Sequence, residues 1–183
     1  MKTVCLAIGH SSKAQGAFNE KSGLTEWQYN YGLAAKMMAH FAMETHRVDC
    51  RLIHRGSEET SSYEVGEVIE TINGHNPDLI ISLHGNAFDH KQQGHAALHH
   101  PASARAFPMS ERLMYCMEKA LSNPNVRIRQ RGDLALLSQT RGTAIILEPF
   151  FIDNNADCEN AVKRENRLAF WLYSGIMDSL REY

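Results

Sequence analysis

Pro77-Asp78-Leu79-Ile80-Ile81-Ser82-Leu83-His84 decides the fold of this chain. An apolar run of strand length, preceded by a proline and closed by a histidine, reads as a buried strand from Asp78 to Leu83. Two further stretches have the same design. Val4 to Gly9 is followed by His10, and Thr143 to Glu148 is the run Ala144-Ile145-Ile146-Leu147 closed by a glutamate. Segments of helical period separate them. Thr25-x-x-Gln28 has the form of a capping box, and Trp27, Tyr31, Ala34, Met38 and Phe41 then recur at three- and four-residue steps. Val48 to Ile53 reads as a strand. Tyr63 to Ile72 reads as a helix with Val65, Val68, Ile69 and Ile72 inward and Gly74 as its stop. Further on, His95 to His99 and Leu134 to Leu137 read as short strands, and Pro108 suits the first turn of a helix running to Leu121. A long last helix carries Ala161, Leu168, Leu172, Ile176 and Leu180 on one face. Strands alternating with helices predict an α/β fold: a single domain, residues 1–183, with a mostly parallel twisted sheet and helices on both faces.

Composition narrows the function classes. The chain has 183 residues, 43% of them hydrophobic, and a formal net charge of -2. That length can bury a sizeable core without staples. The charge leaves no basic field for nucleic acid, and the best local candidate, Arg127-Ile128-Arg129-Gln130-Arg131, is short. Cys5, Cys50, Cys116 and Cys158 form no CxxC pair, so they read as reduced thiols, with Cys5 and Cys50 in strands. Met1-Lys2-Thr3-Val4-Cys5 enters a strand directly, without the pattern of a signal peptide, and no run is long enough to span a membrane. Synthesis in the cytoplasm is the expectation.

In open α/β sheets, ligands bind outside the carboxyl ends of the strands. His10, His84 and Glu148 all follow or end strands, and Glu26 stands in the first turn of the first helix, where a carboxylate is favoured. A catalytic zinc site uses three protein ligands and keeps one position for water. His10, Glu26 and His84 are the candidate ligands for one zinc ion per chain, and Glu148 the candidate proton-transferring carboxylate. A histidine after a strand is by itself more often a hydrogen-bonded loop residue. Glu148 is different, because a carboxylate between Ile145-Ile146-Leu147 and Pro149-Phe150-Phe151 is costly to bury unless used. His95, His99 and His100 form a weaker second cluster. Arg129 and Arg131 could meet a substrate carboxylate, although a solvated turn is the simpler reading.

These residues occur in a recognisable order. Gly9-His10, Glu26, Ser82-Leu83-His84-Gly85-Asn86-Ala87 and Leu147-Glu148-Pro149-Phe150-Phe151-Ile152-Asp153-Asn154 resemble the zinc-dependent N-acetylmuramoyl-L-alanine amidases of the amidase-3 type. The likeness runs from residue 4 to the final helix. It implies zinc on His10, Glu26 and His84, and catalysis by Glu148. It also implies hydrolysis of the amide joining N-acetylmuramic acid to the first L-alanine of the peptidoglycan stem peptide. Two departures stand out. The usual Asp-Pro-Gly-His-Gly-Gly is here Ala7-Ile8-Gly9-His10-Ser11-Ser12, which alters the first loop, and Pro149 follows the glutamate where glycine is usual. The compact segment between Glu26 and His84 suggests an open site without a covering regulatory helix. A monomer that lyses the cell wall is expected, with a phage or prophage endolysin released by a holin as one form of it. A zinc carboxypeptidase, an N-formylglutamate-type amidohydrolase and a catalytically inactive peptidoglycan-binding module are the alternatives.

Overall fold

A computed structural model of the chain describes residues 1–44, 46–56 and 62–182. The elements are β1 (Lys2–Ile8), α1 (Glu26–Phe41), a short 3-10 turn (Ala42–Glu44), β2 (Val48–Ile53), α2 (Ser62–Gly74) and β3 (Leu79–Leu83). Next come β4 (His95–His99), α3 (Ala106–Leu121), β5 (Val126–Gln130), α4 (Ala135–Gln139), β6 (Thr143–Glu148), α5 (Asn155–Lys163) and α6 (Glu165–Glu182). The six strands form one sheet in the order β2-β1-β3-β6-β4-β5. All pairings are parallel except β4 with β6. Strands β1, β3 and β6 therefore end at one edge, as a mostly parallel sheet requires.

Strand alternation divides the core. Val4, Leu6, Ile8, Leu79, Ile81, Leu83, Ala97, Ile145 and Leu147 face one side, packed with residues of α1, α3, α5 and α6. Cys5, Ala7, Ile80, Ala96, Leu98, Ala144 and Ile146 face the other, covered by Val68 and Ile72 of α2 and Leu137 of α4. Residues directly across a ladder share a face, so the alternation places Glu148 and Ser82 on this second, thinner side.

Several sequence expectations are corrected. The buried face of α1 is Tyr29, Leu33, Ala34, Met37 and Phe41, whereas Tyr31 is exposed and Trp27 and Met38 are half-buried. The helix lies between the sheet and α6, which rotates its buried stripe away from the expected positions. α2 runs past the expected Ile72 and ends at Gly74, the expected stop, and Asn76 beyond it takes the left-handed conformation (φ 47°). The expected inward residue Val65 is half-buried. Leu134 to Leu137 is not a strand: β6 already has β3 and β4 as neighbours, and Leu134 caps a one-turn helix whose Leu137 packs down on the sheet. The solvated turn expected at Arg129 and Arg131 is in part edge strand β5, which holds Arg129 and ends at Gln130, just before Arg131. The single last helix is two, divided at Arg164, so Ala161 belongs to α5. Tyr63 begins the expected second helix with its side chain outside the described residues.

Candidate metal centre and active site

The capping box seen in the sequence places the first acidic group. Thr25 Oγ1 accepts from Gln28 N at 3.3 Å, and Gln28 Oε1 accepts from Thr25 N at 3.0 Å. Helix α1 therefore starts at Glu26, and the Glu26 amide donates to Ala17 O at 2.8 Å. The side chain turns under the ends of β1 and β3. His10 Nε2 lies 3.1 Å from Glu26 Oε2, and His84 Nδ1 lies 3.0 Å from Glu26 Oε1. One ligand atom from each of the three residues lies within 4.8 Å of the others. Gly85 N also donates to Glu26 Oε1 at 2.9 Å.

Backbone shape makes this approach possible. His10 itself is left-handed (φ 65°), an uncommon state for a residue with a side chain and one often found at functional sites. A Cβ on Gly9 would stand 2.5 Å from Leu83 O and 2.7 Å from the His84 ring. At Gly16 (φ 75°), a Cβ would meet Glu26 Oε2 at 2.6 Å. The serines that replace the expected glycines close a turn instead: Ser11 N donates to Ala14 O, and Ser11 Oγ accepts from Ala14 N, both at 3.1 Å.

Burial alone would raise the Glu26 pKa, yet hydrogen bonds and charge from His10 and His84 bring it down to about 2. The carboxylate stays ionised at any ordinary pH. Its side chain is 5% exposed, while His10 and His84 keep 26% and 27% of theirs open. Two imidazoles and an ionised carboxylate, converging from three elements and open on one side, suit a metal ion with a free coordination position. The residues present fit that role.

Glu148 ends β6 next to this group. Asn86 Nδ2 donates to its Oε2 at 2.8 Å. Burial raises its pKa above the ordinary glutamate value, opposed by the charges of His84, Arg129 and Arg131. The strand ends are tied together: His84 N donates to Leu147 O and Asn86 N to Phe150 O, each at 2.9 Å. Ile152 N donates to Asn86 O at 2.8 Å. After Pro149, Phe150 is buried against Tyr29, ring centroids 4.5 Å apart. The Asp153 carboxylate accepts from Phe88 N and His90 N, and Asn154 caps α5. These bonds hold the loop that follows His84.

A cleft of about 460 Å³ opens beside the group on the thinner face of the sheet. Its floor is Ala7, Ser82, Ile146 and Leu98, and its walls are Val65 and Val68 of α2 and Leu134 to Leu136. His84 and Glu148 stand at its edge, with Arg55, Arg131 and Asp133.

The structure thus brings His10, Glu26 and His84 into contact and sets Glu148 beside them. It separates the second histidine cluster. His95 and His99 are buried on the α3 side of β4, with His99 against Phe107, whereas His100 Nδ1 accepts from Ala102 N at 3.1 Å. His10, Glu26 and His84 are the one such group found among the described residues. Sequence reasoning passed over the part played by Asn86. Its signal was position, two residues after His84, on the loop facing the end of β6.

Residues 4–178 match the family model described as N-acetylmuramoyl-L-alanine amidase, and the chain belongs to that family. It is an amidase of peptidoglycan by class. The CwlD amidase from Clostridioides difficile, solved in complex with the GerS lipoprotein, superposes with a TM-score of 0.86. Identity is 20%, over 100% of both chains. The catalytic domain of the CD27L endolysin targeting Clostridia difficile gives a TM-score of 0.84 at 24% identity, over 97% of this chain and 98% of that one. Ami1 from Mycobacterium smegmatis gives 0.77 at 17% identity, over 100% and 98%. At such identities the likeness is one of fold. No curated protein sequence matches the chain.

Proposed function

We propose that residues 1–183 act as one catalytic domain, a zinc-dependent N-acetylmuramoyl-L-alanine amidase. In this reading His10, Glu26 and His84 hold one zinc ion and Glu148 transfers the proton. The observation that carries it is Glu26 lying 3.1 Å from one imidazole and 3.0 Å from the other, with the third side of the group open. The donor set, nitrogen and oxygen without sulfur, is of the kind used by catalytic zinc.

A zinc ion bound there supplies Lewis acidity, polarising a carbonyl and making a neighbouring water more acidic. The chain's own residues do the rest. Glu26, ionised throughout, keeps the two imidazoles oriented. Glu148 accepts a proton from the attacking water and delivers it to the nitrogen of the leaving L-alanine. Asn86 holds one Glu148 oxygen, leaving the other for that transfer. The raised pKa of Glu148 suits it to both halves of the cycle, since a group titrating nearer the working pH gives up a proton more readily.

The test is metal content together with product analysis on purified peptidoglycan. About one zinc per chain and chelator-sensitive release of intact stem peptides support the reading. Free amino acids from small peptides would point to a zinc peptidase, and absence of bound metal would overturn the proposal. His84→Ala should lose both metal and activity, because it removes a ligand. A full complement of zinc in that variant would remove His84 from the ligand set.

A further inference from the structure

Beyond the cleft beside Glu148, the outer strand β5 carries two arginines on the same face of the sheet. Register across the sheet aligns Ala7, Ser82, Ile146, Leu98 and Arg129 in one row, on successive strands β1, β3, β6, β4 and β5. One step nearer the site edge, Glu148, Ala96 and Arg127 form the next row. Residues in a row share a face, so Arg127 and Arg129 rise from the same side of the sheet as Glu148. Between them lie only Ala96 and Leu98, which keep the trough shallow.

The cations differ in how their charge is used. Arg131 is held by Asp133 through two bonds, at 2.7 and 2.6 Å. Arg127 donates to the neutral Gln92 at 3.0 Å. Arg129 is exposed and has no ion pair or hydrogen bond among the described residues. Two strand spacings separate β6 from β5, or roughly 10 Å, which an extended peptide crosses in about three residues.

We infer that Arg129, supported by Arg127, forms a subsite for a carboxylate on the stem peptide, two or three residues beyond the scissile amide. The inference rests on the amidase reading above. Glu148 hands its proton to the leaving amine, so the peptide half of the substrate begins at Glu148 and the neutral N-acetylated glycan lies on the other side. A peptide crossing Ala96 and Leu98 then reaches Arg129. A guanidinium binds a carboxylate through two parallel bonds and gains much less from a carboxamide. The subsite therefore favours stem peptides with free carboxylates over amidated ones.

The experiment uses synthetic N-acetylmuramoyl pentapeptides that are identical except for carboxylate or carboxamide at the second and third residues. The wild-type chain, loaded with metal, should prefer the free acid about tenfold in kcat/KM, the effect of one charge-assisted bond. In Arg129→Gln, and more fully in the double variant R127Q/R129Q, that preference should fall to about one, mainly through KM. Both residues are exposed, so folding is not at stake. Arg112→Gln, on α3 and paired with Glu182, serves as the charge control and should keep the preference. A preference of about one in the wild type, or one unchanged in the double variant, overturns the subsite and leaves the amidase reading standing. Failure of the wild type to cleave either substrate overturns both.

Discussion

The two faces of the sheet are built unequally. On one side, Val4, Leu6, Ile8, Leu79, Ile81 and Leu83 meet α1, α3 and α6, and large side chains interlock throughout. On the other, the same strands present Cys5, Ala7, Ile80 and Ser82 to the shorter cover of α2 and α4. Small residues under a short cover leave a cleft, and Glu148 stands at its head. The thick face holds most of the apolar burial, which stabilises by about 1.5–3 kcal/mol for each fully buried large side chain. The thin face gives up part of that burial and keeps room for a substrate. Most of the core and the cleft thus lie on opposite sides of the same strands.

That division predicts separable effects. On the proposed mechanism, Glu148→Ala should lower kcat by about two orders of magnitude or more, with bound metal and thermal stability retained. A variant that instead unfolds easily would mean that the thin-face edge is structural. On the thick face, Leu172→Ala should cost about 2–5 kcal/mol of stability while the folded fraction keeps its kcat. The half-buried Leu136 of the cleft wall should cost about 1 kcal/mol on the same change and act mainly on KM. Denaturant titration beside kinetics separates the two, and equal stability losses at Leu172 and Leu136 would contradict the division.

A smaller effect concerns pH. In the proposed mechanism Glu148 must be ionised to accept a proton, and its pKa is raised, so activity should fall as pH drops through a value above the ordinary glutamate range. Asn86 donates to the charged form. Asn86→Ala should therefore move the acid limb of the pH–rate profile further up, with the loss of kcat concentrated on its acid side. A limb that stays in place would leave Asn86 as a loop anchor only.

The proposed metal ligands have their own signature in the metal-free chain. Glu26 titrates near 2 when folded, below its ordinary value of 4.5. Its contribution to stability is present above about 4.5 and is lost as pH falls toward 2. Replacing Glu26 by Gln should flatten that acid-side loss, as followed by thermal melts.

Much of this was legible in the chain itself. Three apolar runs ending in His10, His84 and Glu148 specify buried parallel strands with polar groups at one edge, because strand length and continuous apolarity leave few other solutions. The Thr25 capping box put Glu26 at a helix start, since both of its hydrogen bonds are local. Local periodicity did not reveal which face of α1 is buried or the helical state of Leu134 to Leu137. The neighbours of an element decide those, and they are remote in sequence. The reversal of β4 and β5 is likewise nonlocal, and it carries Arg127 and Arg129 onto the Glu148 side. Sequence determined the buried strands, the cap and the identity of the polar groups, all short-range consequences of residue type. Only the tertiary structure decided that Glu26 lies between two imidazoles and that Asn86 reaches Glu148. Those distances depend on the order and direction in which strands pair, which no single stretch of chain encodes.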